Sequence, residues 1–255
     1  MEQNISTLIP LGIFQSSRPI KIMAYRHELK YLIHKSDYAI LRARIAGLLN
    51  KDEHVNSQGI YTVRSLYFDD FYNSAYNEKD MSILVRQKYR IRTYNYSVDV
   101  IHLERKLKYD NYVYKMSAPL SAATVNQLFH GEYDFLRDSK IQLHNIFYHE
   151  IKSKVMRPRI VVDYEREPFT LDAGTVRITF DNHIRASVDS LNLIHPNLAM
   201  SETLEDGFLV MEVKYTEFLP QMIQRILPSS NLDCSSISKY VLACDRTLYK
   251  RKTNY

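Results

Sequence analysis

The stretch Val85-Arg86-Gln87-Lys88-Tyr89-Arg90-Ile91-Arg92-Thr93-Tyr94 constrains this chain more than any other. At a strand's period of two, Arg86, Lys88, Arg90 and Arg92 fall on one face. Four cations on one side of one strand repel each other unless solvent or an anion lies opposite. A solvated edge strand is one reading, since lysine and arginine often guard sheet edges. Later strands repeat the pattern, and that turns attention from one edge to a shared charged surface.

Residues 22–33 alternate, with Arg26, Glu28 and Lys30 on one side and Tyr25, His27, Leu29 and Tyr31 on the other. Ser36-Asp37 then offers a helix start, and Tyr38, Leu41, Ile45, Leu48 and Leu49 recur at helical spacing to about Asn50. A strand over 60–68 sets Arg64, Leu66 and Phe68 against Tyr61, Val63, Ser65 and Tyr67. Another, over about 98–108, puts His102, Glu104, Lys106 and Lys108 together. Asp110-Asn111 signals a hairpin whose return carries Lys115. Helical patterns follow at 121–129 and 133–155, separated by Gly131. Strands resume at 159–166, at 175–181 with Arg177, Thr179 and Asp181 aligned, and at 208–215, where Val210, Glu212 and Lys214 share a face. Helices over about 220–227 and 236–250 close the chain.

The tally is eight or nine strands, mostly in hairpin order and without βαβ alternation, which argues against a doubly wound parallel sheet. The expected class is α+β: a large antiparallel barrel or strongly curved sheet over 22–255 as one domain, preceded by an arm at 1–21. Cys234 and Cys244 suggest neither a disulfide framework nor a metal cluster, which favours a reducing, cytoplasmic setting. No apolar run reaches the length of a membrane span. A peripheral position at the inner face of a membrane, or a membrane-protein partner for the arm, stays open, as does the oligomeric state. Nine histidines show no metal-ligand spacing, and 20 tyrosines without tryptophan suit strands with partly wet faces.

The net charge of +5 and a pI near 9.0 point weakly to an anionic partner. The charged faces can lie outside a barrel with an apolar interior, or line a lumen whose apolar outer face is covered by helices; periodicity permits both. Two features favour the lumen. Arginine, suited to multidentate phosphate recognition, dominates at Arg26, Arg64, Arg90, Arg92, Arg166 and Arg177. Glutamates recur singly among the cations at Glu28, Glu104 and Glu212, as ligands of a hard metal accompanying phosphates would.

Arg26-x-Glu28-x-Lys30-Tyr31, Arg90-x-Arg92, Leu103-Glu104-Arg105-Lys106, Tyr164-x-Arg166, Val176 to Asp181 and Glu212-Val213-Lys214, in that order, resemble the VTC domain, the polyphosphate-polymerase branch of the triphosphate tunnel metalloenzymes. The resemblance spans roughly 22–245 and is closest to a stand-alone bacterial type. It implies an eight-stranded antiparallel β tunnel with a basic lumen, surrounded and capped by helices. ATP and inorganic polyphosphate would occupy the tunnel, with a divalent cation, Mn2+ or Mg2+, on a carboxylate. Lys30, Arg90, Arg92, Lys106, Arg166 and Arg177 match the phosphate-binding cations, and Glu212 the metal-binding glutamate, with Glu28 and Glu104 as further candidates. Lys239 matches a lysine of the terminal capping helix, Lys115 a further lumen lysine. Arg26, Arg64 and Lys214, on the same charged faces, complete the expected substrate-binding set.

Two positions depart from the pattern. Ser236 stands where eukaryotic members carry a second lysine, and Arg26 replaces the first acid of the wider superfamily's E-x-E-x-K. The expected activity is ATP-dependent chain extension by phosphoryl transfer, which asks a protein mainly for positioning and charge stabilisation. Hydrolysis of a triphosphate and non-catalytic polyphosphate binding are the alternatives. Nucleic acid is not an expected partner, because tunnel cations are inaccessible to a duplex.

Overall fold

The computed structural model describes residues 27–80, 83, 85–109, 112–188, 191–228 and 237–249. The arm at 1–21, Arg26, the Asp110-Asn111 turn, Cys234 and Ser236 lie outside the described residues. The elements run β1 (His27–His34), α1 (Lys35–Ala46), β2 (Asn50–Lys51), β3 (Tyr61–Asp69), α2 (Ser74–Asp80), β4 (Val85–Tyr94), β5 (Ile101–Tyr109) and β6 (Tyr112–Leu120). Then come α3 (Ala122–Phe129), α4 (Asp134–Arg137), α5 (Gln142–Lys154), β7 (Arg157–Leu171), β8 (Val176–Ser187), β9 (Ser201–Glu202), β10 (Phe208–Tyr215), α6 (Gln221–Gln224) and α7 (Lys239–Thr247).

Eight strands form one antiparallel path, β1-β10-β8-β7-β3-β4-β5-β6, with the short β2 and β9 added to β7 and β8. The path curls into a half-barrel with β1 and β6 at its two ends. The α+β class and the tunnel-like antiparallel sheet expected from the sequence are therefore present. Several boundaries differ: β8 runs on to Ser187, and α6 and α7 are shorter than the expected 220–227 and 236–250. The single helix expected over 133–155 is split into α4 and α5, because Asn145 Nδ2 turns back onto the carbonyls of Leu136, Arg137 and Ser139 and fixes a bend between them. Strand β7 runs on to Leu171, beyond the expected 166, since its second half finds partners in β8 and β2.

The outer face of the sheet is apolar and covered by helices. Leu66, Phe68, Tyr89, Ile91 and Leu103 pack with Val125 and Leu128 of α3 and with Leu143, Phe147 and Ile151 of α5. Phe147 sits edge-on to Phe68 at 5.0 Å and stacks on Tyr89 at 5.2 Å. On the other half, Tyr31, Ile33, Ile178, Phe180, Leu209 and Met211 pack with Leu41 and Ile45 of α1. Each such side chain contributes about 1.5–3 kcal/mol when fully buried. Local signals agree with this arrangement: Ser121 and Thr124 form a capping box that starts α3, and His34 accepts from the Ser36 amide at the start of α1.

The inner face is divided. Tyr240, Val241, Ala243 and Cys244 of α7 lie against Val63, Val162, Ile184, Ala186 and Val210, filling one part of the concave side. Asp69 fastens this helix, accepting from the Tyr240 hydroxyl and from the backbone amides of Ala75 and Tyr76 at the start of α2. The rest of the concave face is charged. No helix among the described residues is long and apolar enough to cross a membrane.

Candidate functional site

The charged part of the concave face encloses a cavity of about 370 Å³. Eleven lysines and arginines line it against three glutamates, so its lining carries a large excess of positive charge. The strand period explains how they converge: Glu28 and Lys30 of β1, Lys88, Arg90 and Arg92 of β4, Glu104 and Lys106 of β5, and Glu212 and Lys214 of β10 all point inward.

Two carboxylate-centred groups organise the cations. In the first, Glu104 (2% exposed) meets Arg90 Nη2 at 2.8 Å, Lys115 Nζ at 2.6 Å and the Arg92 guanidinium. In the second, Asp181 and Glu212 share Lys239 and Arg166. Lys239 Nζ lies 2.6 Å from Asp181 Oδ2 and 2.8 Å from Glu212 Oε1. The Arg166 Nε lies 2.6 Å from Asp181 Oδ1, and its Nη2 is 3.4 Å from Glu212 Oε2, which also takes Lys214 Nζ at 2.8 Å. Glu28 joins the groups by pairing with Lys30 at 3.2 Å and Lys106 at 2.7 Å.

Tyrosine rings support the cations from behind. Lys239 and Arg166 lie over Tyr164 at 4.8 and 5.1 Å, Arg90 over Tyr67 at 5.9 Å, and Lys88 over Tyr240 at 5.0 Å. Arg90 also donates to the Tyr67 hydroxyl at 3.1 Å, and Lys88 to Ser238 Oγ at 3.1 Å.

The electrostatics follow from crowding. Burial works to raise the pKa of Glu104, but Arg90, Arg92 and Lys115 outweigh it and hold the carboxyl down at about 2. Burial opposes ionisation of Glu212 as well, yet Lys214, Lys239 and Lys30 hold it well below the usual carboxylate range. Lys239 is buried but raised above its ordinary value by Asp181 and Glu212. Lys106 goes the other way: desolvation, with Lys30 and Lys214 adding repulsion, outweighs Glu28 and brings it down to about 8.

Of the residues singled out in the sequence, Glu28, Lys30, Arg90, Arg92, Glu104, Lys106, Lys115, Arg166, Glu212, Lys214 and Lys239 all line the cavity. Arg64 does not. It shares the outer face with Leu66 and Phe68, is 1% exposed, and pairs with its cross-strand neighbour Asp163 at 2.7 Å beneath the Tyr96 ring. Both faces of β3 are buried, so its alternation could not tell inside from outside. Arg177 is also outside the cavity lining; it pairs with Asp52 Oδ2 at 3.0 Å and donates to the Tyr61 hydroxyl at 2.9 Å.

Four contributors carry no role in the sequence pattern, Lys108 of β5 among them. Asp181 shared a polar face with Arg177 in the sequence, but its pairing with Lys239 joins residues far apart in the chain. Arg86 and Lys88, which matched no expected role, line the cavity. The period of β4 alone placed them there.

The donors do not fit a preformed metal site. Among the described residues no three His, Cys, Asp or Glu side chains gather around a common point. The three candidate ligands Glu28, Glu104 and Glu212 are each engaged by ammonium or guanidinium groups.

In comparisons with known proteins, the chain finds no match among curated sequences. A solved adenylyl cyclase-like protein from Hippeastrum, noted for a dominant triphosphatase activity, is similar at 12% identity and TM-score 0.44, over 76% of this chain and 80% of that one. An adenylate cyclase-like protein from Bacillus halodurans is similar at 11% identity and TM-score 0.45, over 82% of this chain and 96% of that one. The family model of the VTC domain matches residues 25–248, and the chain therefore belongs to the VTC domain family.

Proposed function

We propose that this chain is an ATP-dependent polyphosphate polymerase. The reading rests on one observation above all: a cavity lined by eleven cations and three glutamates, inside a fold whose family is the VTC domain. In this reaction a terminal oxygen of phosphate or polyphosphate attacks the γ-phosphorus of ATP. The bond between that phosphorus and the β,γ-bridging oxygen breaks, and ADP leaves. The attacking oxygen is already ionised near neutral pH, so no general base is required.

What the protein supplies is position and positive charge. Arg90 and Arg92, held in place by Glu104 and the Tyr67 ring, present guanidinium edges to phosphate oxygens. Arg166, Lys214 and Lys30 stand around Glu212 and present the opposite wall. Lys115 joins the Arg90–Arg92 wall through Glu104, and Lys106 lines the same cavity beside Glu28. A divalent cation, which the family resemblance implies, would accompany the phosphates and add charge neutralisation. Glu212 is the carboxylate proposed to meet it.

The test is incubation of purified protein with ATP and manganese or magnesium, with products resolved by gel. Polyphosphate chains appearing together with ADP support the reading. Free phosphate without chain growth makes the protein a triphosphate hydrolase of the same fold. Tripolyphosphate binding without turnover makes it a binding module.

A further inference from the structure

Asp181 is fully buried and Glu212 is 5% exposed. Two such carboxylates side by side require a cation between them, and here that cation belongs to the chain. Lys239 Nζ lies within 2.8 Å of an oxygen of each, while Arg166 bridges the same two acids. The Tyr164 ring lies 4.8 Å beneath the ammonium. The lysine cannot drift away cheaply, because the next residue, Tyr240, is 1% exposed and donates to the buried Asp69. Lys239 is thus fixed at the start of α7 by both its head and its neighbour.

We propose that Lys239 is the resident cation of the Asp181–Glu212 pair, so that the cavity accepts a phosphate chain without first binding a divalent metal. This rests on the phosphate-tunnel reading for its ligand. Around the two carboxylates stand Lys239, Arg166, Lys214 and Lys30; with Glu28 and Lys106, which are linked to them through Lys30, five cations face three acids, so the group is net positive before any ligand arrives. A free divalent cation is repelled by that surplus and finds both acids occupied. It reaches the pair only in company with a polyanion, which removes the repulsion. Glu104 offers no other entry, since Arg90, Arg92 and Lys115 hold it.

Two measurements test this. Electron paramagnetic resonance of free Mn2+, in the absence of phosphate, compares wild type with Lys239→Met and with the double variant Lys239→Met/Glu212→Gln. Removing the ammonium is expected to tighten Mn2+ binding by about tenfold or more, and the second substitution to abolish the gain. Wild type retaining Mn2+ as tightly as Lys239→Met overturns the proposal. If Lys239→Met does not fold, as circular dichroism reports, tight Mn2+ retention by wild type alone still overturns it and the absence of retention supports it.

The second measurement is calorimetric titration of wild type with tripolyphosphate in EDTA and in magnesium. Comparable affinity in both supports the proposal; binding only in magnesium overturns it. Binding in neither condition removes the phosphate-tunnel reading instead, and the Mn2+ titrations then decide the role of Lys239 on their own.

Discussion

Lys106 Nζ lies 2.7 Å from Glu28 Oε2, and this pair spans the seam of the sheet: β1 is one end of the strand path and β5 stands next to the other. Backbone pairing does not join these ends among the described residues, so side chains contribute to the closure. The lysine side chain is 43% exposed, which places the pair in the weak range of partly solvated ion pairs. A double-mutant cycle of Glu28→Gln and Lys106→Met in urea should give a coupling of about 0.5–1 kcal/mol. A coupling of several kcal/mol would mean that the seam is held far more tightly than its exposure allows.

Asp181 is the residue whose loss should cost the most stability. It is fully buried and neutralises Arg166 and Lys239, both themselves buried. Asp181→Asn leaves those two cations facing each other with only Glu212 between them, and should destabilise the fold by about 3–5 kcal/mol. Urea unfolding measures this. A loss under about 1 kcal/mol would show that the cations relax into solvent.

These two pairs also mark how far the sequence could be read. The β4 period placed Arg86, Lys88, Arg90 and Arg92 on one wall without any structure, because a strand with one charged and one apolar face has only one consistent orientation once helices cover the apolar side. Strand β3 carries no such contrast, and Arg64 was put on the wrong face for that reason. Arg177 lies on a charged strand face yet is captured by Asp52, a loop residue whose position no periodicity encodes. The sharing of Lys239 between Asp181 and Glu212 depends on how α7 docks, through Tyr240 and Asp69, and is likewise invisible at the level of strands.

Acid should act on the outer face as well as the cavity. Glu167 is 4% exposed and accepts from Lys51 Nζ at 2.6 Å, the Tyr38 hydroxyl at 2.7 Å and Arg42 Nε at 2.9 Å, tying α1 and β2 to β7. Burial opposes its ionisation, but these donors outweigh burial and lower its pKa. A folded-state pKa below the unfolded one means that the unfolded chain binds more protons in between. The stabilisation is therefore complete above about 4.3 and is lost as pH falls from there through the folded value. Glu167→Gln should cost about 1–3 kcal/mol at neutral pH, at the lower end because Arg42 and Lys51 are partly exposed. The gap from wild type should shrink in urea melts run progressively below about pH 4. A gap that widens with acid would reverse the sign assigned to this carboxylate.

Val155 ends α5 with φ 51° and ψ 45°, a left-handed conformation that a β-branched residue adopts at a cost. It is exposed, so its side chain contributes little packing in return. Val155→Gly relieves strain of about 1–3 kcal/mol and adds back some unfolded-chain entropy, for an expected net gain of about 1 kcal/mol. Thermal unfolding is the check; a lower melting temperature would contradict the strain.

The contrast between Arg64 and Arg90 separates a cation enclosed on the helix-covered face from one that lines the cavity, in one experiment. Arg64 is enclosed with Asp163 on the helix-covered face, and no part of it lines the cavity. Arg64→Met strands a buried carboxylate, with Arg185 at 3.0 Å as its remaining partner, and should cost about 3 kcal/mol of stability. Tripolyphosphate affinity of the protein that stays folded should be unchanged. Arg90→Met leaves Glu104 with Arg92 and Lys115, so folding should suffer less. Its tripolyphosphate affinity should fall by about tenfold, the worth of one charge-assisted contact. Paired urea melts and calorimetric titrations read both quantities on both variants. Affinity lost in Arg64→Met but kept in Arg90→Met would move the binding surface to the other side of the sheet.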